Sequence, residues 1–188
     1  MTQTRDADAT RARIMEAAAA EFSEFGIAGA RVDRIAKHAS ANKAMIYRYF
    51  GNKDELFDAV FSAQVVSFVE TVQFDVGDIA GYAGRLFESY QTHPRALRLM
   101  HWYQLERPET TSLDAIVESN NRKLDAIATA QLAGALPERY SAVELLALVR
   151  GIAMSWDNLT PELHRATTAS PERRRELVVE AVQRLLDA

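Results

Sequence analysis

The segment from Arg31 to Leu56, RVDRIAKHASANKAMIYRYFGNKDEL, leaves a folded chain few options: a short helix, a tight turn, a second helix rich in basic and aromatic residues, and the capped start of a third. Ile35, Ala36 and Ala39 fall at the three- and four-residue spacing that a helix buries, which predicts a helix over Val32 to Ala39. Ala36 carries little beyond its backbone, so a second helix is able to cross it closely at the steep angle of a helix-turn-helix. Ser40-Ala41 supply the turn, and the Asn42 side-chain oxygen is suited to accept from a backbone N–H two or three residues on. The second helix is then expected from Lys43 to Phe50. Ile46 and Phe50 share the face that a core takes, while Lys43, Ala44, Met45, Tyr47, Arg48 and Tyr49 cover the surface left for a nucleic-acid groove. Asn52-Lys53-Asp54-Glu55 is an N-cap with Glu three positions on, the signature of a capping box and of a further helix.

Ahead of this segment, Ile14, Ala17, Ala18, Phe22 and Phe25 form the stripe of a helix from about Ala9 to Phe25, ended by Gly26. Arg11 and Arg13 lie in its first turn, where the helix dipole opposes them; they are left either to reach phosphate or to stay solvated, and Arg5 is a candidate for a basic arm. Past Leu56 the apolar spacing stays helical. The third helix is expected to run into the low seventies, Gly77-Asp78 punctuates, and a helix reaches Thr92. Another runs from His93-Pro94 to a stop at Pro108, and another from near Ser112 to Ala133. Ser141 to Glu144 reads as a second capping box, opening a helix apolar nearly all round, and Thr160-Pro161 and Ser170-Pro171 pair an N-cap with Pro at the first helical position. No hairpin signal interrupts this pattern, so the fold class is all-α.

Charge is unevenly placed. The chain is formally −4, but Met1 to Lys53 holds nine Lys/Arg against six Asp/Glu, and the remainder holds thirteen against twenty. A basic N-terminal module followed by an acidic body offers one end to phosphates. The absence of cysteine removes disulfides, thiolate zinc sites and a thiol nucleophile. No GxSxG, HExxH or glycine-rich phosphate loop appears, and His38, His93, His101 and His164 are scattered. An enzyme is therefore not expected, nor a cofactor or metal site. Without an apolar leader or a run of about 18 apolar residues, the chain is expected to be soluble and cytoplasmic, with no membrane partner.

These elements together resemble the DNA-binding domain of the tetracycline-repressor (TetR) family of bacterial regulators. Ile35-Ala36, Tyr47-Arg48-Tyr49-Phe50 and Lys53-Asp54-Glu55-Leu56 stand where that family has IA, a helix ending YxxF, and K-x-x-L; the likeness runs from Arg11 to Phe61. The chain departs from the pattern at Ser40, where Gly is usual, and at Arg31, where Ser or Thr commonly caps the helix. A left-handed Ser is expected to cost about 1 kcal/mol. The resemblance implies a helix-turn-helix domain over residues 1–53 and a helical ligand-binding and dimerisation domain over 54–188. It also implies a homodimer formed by the helices at 141–157 and 171–186. Such a protein would be a repressor released from a palindromic double-stranded operator by a small-molecule effector; the alternative is a helical architectural DNA binder without effector control.

At the DNA, Lys53 at a helix N-terminus is expected to share a phosphate with free backbone N–H groups. Tyr47 and Tyr49 offer hydroxyls to phosphate or stack on a thymine methyl, Lys43 reaches guanine O6 and N7, and Ala44 and Met45 allow close apolar approach. Arg34 and Arg48 are assigned to phosphate, and Asn42 stands at the DNA-facing start of the helix. For the effector, the candidate lining is Phe61, Phe68, Phe87, Tyr90, Met100, His101, Trp102, Tyr103, Asn120, Asn121 and Trp156, an aromatic set with a few polar handles.

Overall fold

A computed structural model describes residues 2–107 and 114–187, with the side chains of residues 2–5, 65, 66, 69, 70 and 115 excepted. The expected stop at Pro108, the start near Ser112 and the Arg5 arm lie outside what is described. The described residues form ten α-helices and no strand: α1 (Thr2–Gly29), α2 (Val32–His38), α3 (Lys43–Phe50), α4 (Lys53–Thr71), α5 (Ile79–Thr92), α6 (Pro94–Glu106), α7 (Asp114–Leu132), α8 (Ala142–Met154), α9 (Pro161–Ala166) and α10 (Pro171–Asp187).

Capping chemistry sets most of these boundaries. Ser141 and Glu144 form the reciprocal capping box that opens α8, and the Thr160 side chain accepts from Leu163 N–H at the start of α9, with Pro161 in the first turn. Asp78 caps α5 by accepting from Gly81 N–H at 2.9 Å. Two expectations are adjusted. Helix α1 begins earlier than Ala9, at Thr2, and runs on to Gly29 across a break at Gly26, whose φ of 69° no helix tolerates. Helix α8 ends at Met154 rather than Asp157.

The chain makes two compact units, and they do not divide at residue 53. The first comprises α1 to α3, α4 as far as Ser67, and α6; the second comprises Phe68 to His93 with α7 to α10. Helix α6 joins the N-terminal helices because it packs along α1, burying Ala96, Leu97 and Leu99. The first core gathers Ile14, Ala18, Phe22, Ile35, Ile46, Leu56, Phe57 and Val60, with Phe22 edge-on to Phe57 at 5.2 Å. In the second unit α5 is the hub, packed against both α8 and α10, with Tyr82, Leu86, Phe87 and Tyr90 buried along with Leu145, Val149, Val178 and Val182.

Candidate nucleic-acid interface

The helix-turn-helix begins as its residue pattern requires. Val32, Ile35, Ala36 and Ala39 are buried, and so are Ile46 and Phe50 of α3, so the two helices meet through one apolar face each. Helix α2 ends in a Schellman arrangement: Ala41 N–H donates to Ala36 O at 2.9 Å and Ser40 N–H to Lys37 O at 3.3 Å. This places Ser40 at φ 49°, the left-handed conformation that glycine adopts freely. Arg13 reaches across from α1 and donates through Nε to Ala39 O at 3.2 Å, satisfying a carbonyl at the same helix end. Asn42 caps α3 by accepting from Met45 N–H at 2.8 Å.

The outward surface of α3 is made by Lys43, Ala44, Tyr47 and Arg48, all exposed, with Met45 and Tyr49 half-buried at its margins. Lys43 Nζ sits 3.2 Å from the Asp33 carboxylate, but both partners are largely in solvent, a kind of pair worth about 0–1 kcal/mol and readily exchanged for a phosphate or base edge. The Arg48 guanidinium lies over the Tyr49 ring, 5.3 Å from its centroid. Lys37, in the last turn of α2, is a further exposed cation of the helix-turn-helix.

Three of the expected DNA contacts are occupied inside the protein. Arg34 is held to Glu21 at 2.6 Å, donates to Gly29 O at 3.1 Å and lies over the Phe25 ring at 4.2 Å, so its role here is to join α2 to α1. The Asn42 side-chain oxygen is taken by the α3 cap. Lys53 Nζ turns toward Ala28 O and Ala30 O, 3.4 Å from each, while its backbone opens α4 behind the Asn52 cap.

These bonds belong to a joint over residues 26–31, just ahead of α2. Gly26 lies against α6 so closely that a Cβ there would come within 2.8 Å of the Trp102 ring and 2.6 Å of Glu106 Oε1. Trp102 Nε1 donates to Ser23 O at 3.2 Å, and Glu106 Oε2 accepts from both Ile27 N–H (2.8 Å) and Ala28 N–H (2.9 Å). Glu21, only 3% exposed, accepts from Arg31 N–H at 2.8 Å, supplying the anchor that Arg31 cannot provide as an N-cap. Burial pushes the Glu21 carboxyl up, but the Arg34 and Arg31 hydrogen bonds and the positive charge of Arg34 and His38 outweigh it and hold its pKa below the ordinary value. The signal for Glu21 was in the sequence: it falls on the same stripe as Ala17, Ala18 and Phe22, where a carboxylate needs partners. Glu106 carried no such signal, being paired with residues 78 and 79 positions away.

The expected effector lining divides between the units. Phe61 stacks on Tyr103 at 4.3 Å within the first unit, and Trp102 is fixed to α1 as above; Met100 and His101 are half-buried on the same helix. These residues build the first unit's core and its α1–α6 contact. Phe68, Phe87, Tyr90, Asn120, Asn121 and Trp156 belong to the second unit. There Phe68 stacks on Tyr90 at 5.3 Å, Phe87 borders a cleft of about 460 Å³ between α5 and α10, Arg174 covers the Trp156 ring at 5.2 Å, and Asn121 is exposed.

A buried-face helix pair, a left-handed turn and a capped second helix with a basic and aromatic outer surface define a DNA-binding helix-turn-helix regulator. Residues 14–60 match the family model described as bacterial regulatory proteins of the tetR family, and residues 78–184 match the one described as the tetracyclin repressor-like C-terminal domain. The chain belongs to the TetR family. It is 38% identical to the HTH-type transcriptional repressor SCO4008 of Streptomyces coelicolor, over 97% of this chain and 98% of that one. Among solved structures it resembles SCO4942 of the same organism, described as a transcriptional regulator, at 37% identity and a TM-score of 0.84, covering 94% and 98% of the two chains. Its fold is shared at 17% identity by the fatty acid degradation regulator FadR of Bacillus halodurans, with a TM-score of 0.65 over 92% of this chain and 97% of that one. The chain is thus a DNA-binding transcriptional regulator. Among the described residues, no helix is long and apolar enough to cross a membrane.

Proposed function

We propose that this regulator is a homodimeric repressor that reads an inverted-repeat operator with two copies of α3 and leaves it when a small molecule occupies the second unit. The observation that carries the reading is the surface of α3, where Lys43, Ala44, Tyr47 and Arg48 are exposed on a helix whose opposite face is locked into the core. Lys43 and Tyr47 read or approach base edges, Ala44 and Met45 admit the helix deeply, and Arg48, Tyr49 and Lys53 serve phosphate. Lys53 would exchange two long contacts to carbonyls for a phosphate at the α4 N-terminus.

One eight-residue helix spans only a few base pairs, so specificity calls for two half-sites about 34–36 Å apart or a multiple of that. Helix α8 supports the dimer. Val143 is 60% exposed and Leu148 40%, Ala147 is exposed beside them, and a Cβ at Gly151 would meet nothing within 4 Å. This small-residue apolar face, with the adjoining α10, fits a second copy. The effector reading is supported by the second unit's clefts and by the relatives named as repressors.

The test is selection of genomic fragments on purified protein at physiological salt, followed by motif extraction. An inverted repeat with half-sites a whole number of turns apart is expected. Salt-sensitive retention without an enriched motif would instead establish an architectural binder.

A further inference from the structure

The second unit contains a concavity lined by two cations that, among the described residues, no carboxylate pairs with. Where α4 ends, Val72, Gln73 and Phe74 face Ser119, Arg122 and Lys123 of α7 across a cleft of about 280 Å³. Among the described residues, no carboxylate lies within ion-pair distance of Lys123. Its Nζ donates to the Ser119 hydroxyl at 2.6 Å and approaches Ser119 O at 3.4 Å, which fixes the ammonium at the cleft and leaves one N–H over. Burial and the charges of Arg150 and Arg122 lower the Lys123 pKa to about 8. This stands out in a stretch that, past Lys53, carries a net excess of acidic residues. The far wall is apolar and set in place: Val72 is buried, Phe74 packs edge-on to Tyr82 at 4.9 Å, and Gln73 O accepts from Arg85 Nε at 3.3 Å.

We propose that this cleft binds the anionic group of a small, flat molecule, a carboxylate or a phosphate, with Lys123 and Arg122 at the charge and Phe74 and Val72 along the apolar body. Such an anion takes the N–H that Ser119 leaves over, and a charge-assisted bond in a half-buried site is among the stronger polar contacts a pocket makes. The proposal deepens the effector reading by naming the ligand's chemistry. It is separable from that reading, because binding and DNA release are measured independently.

The test titrates the full-length protein with benzoate and phenyl phosphate against neutral benzamide and cationic benzylammonium, followed by calorimetry and by the amide NMR signals of residues 72–74 and 119–123. Either anion is expected to bind at least about tenfold more tightly than benzamide, to lose about tenfold in Lys123→Met, and to be retained in Lys123→Arg. Arg122→Gln is expected to give a smaller loss. The two Lys123 variants separate charge from folding, since both keep the aliphatic stem. No binding of either anion, equal binding of benzamide, preference for benzylammonium, or unchanged anion affinity in Lys123→Met would each overturn the proposal. An anion that binds here and leaves DNA affinity unchanged would refute the effector role and leave the site standing.

Discussion

Each unit is stabilised internally by its own mix of bonds and packing. In the first, side chains reach backbone groups at almost every change of direction: Glu21 to Arg31, Glu106 to Ile27 and Ala28, Arg13 to Ala39, and Asn42 to Met45. The second has side-chain bonds to backbone of its own at Asp78, Gln131, Ser141 and Thr160, but its helices meet through apolar faces laid along α5, and it leaves cations in a cleft and Val143 and Leu148 in solvent. The contrast separates two tasks. A helix that must fit a groove is fixed by directional bonds that tolerate little displacement, whereas the surfaces proposed for a ligand and a second copy keep groups uncommitted.

The largest loss is expected at the joint over residues 26–31. Gly26→Val places a branched side chain at φ 69° against Trp102 and Glu106 and is expected to cost about 3 kcal/mol or more in urea unfolding, through backbone strain plus overpacking. Gly134→Ala is the control. It has the same positive φ with nothing within 4 Å, and its cost should be only the conformational one, about 1–2 kcal/mol. Equal losses would show that the packing of α6 on Gly26 contributes nothing.

Glu21→Gln comes next, at about 2 kcal/mol, because it weakens the bonds to Arg31 and Arg34 in a buried site. The sign with pH follows from the lowered pKa. The Glu21 contribution is complete above its ordinary value of 4.5 and is lost as pH falls through the lower folded value, so the variant should unfold with a flatter acid limb than the parent. Ser40→Gly is expected to stabilise by about 0.5–1 kcal/mol, since it relieves a left-handed non-glycine residue without removing a described side-chain bond. Smallest in stability is Leu148→Glu, expected within about 0.5 kcal/mol for the folded chain while converting a dimer to a monomer in sedimentation. A dimer unaffected by it would move the interface off α8.

The helix-turn-helix was legible because its information is local. The bounds of α3, the Asn42 cap, the Ser40 turn and the capping box at Ser141 each depend on residues within five positions, and the structure has them where the pattern placed them. What was not legible depends on distant neighbours. Arg34 reads as a free cation until Glu21 is found beside it, Trp102 reads as a pocket aromatic until Ser23 O takes its N–H, and α6 reads as part of the C-terminal body until it packs on α1. The Lys123 cleft is illegible for the same reason: Gln73 and Lys123 are fifty positions apart.

Whether two copies of α3 sit in successive major grooves is decided by methylation protection of guanine N7 on a fragment the protein selects from genomic DNA. Two clusters of protected guanines are expected on one face of the duplex, about 10 base pairs apart or a multiple of that, with protection within each lost in Lys43→Ala. A bound fragment with every guanine N7 left reactive, or a pattern indifferent to Lys43, would overturn that placement of α3.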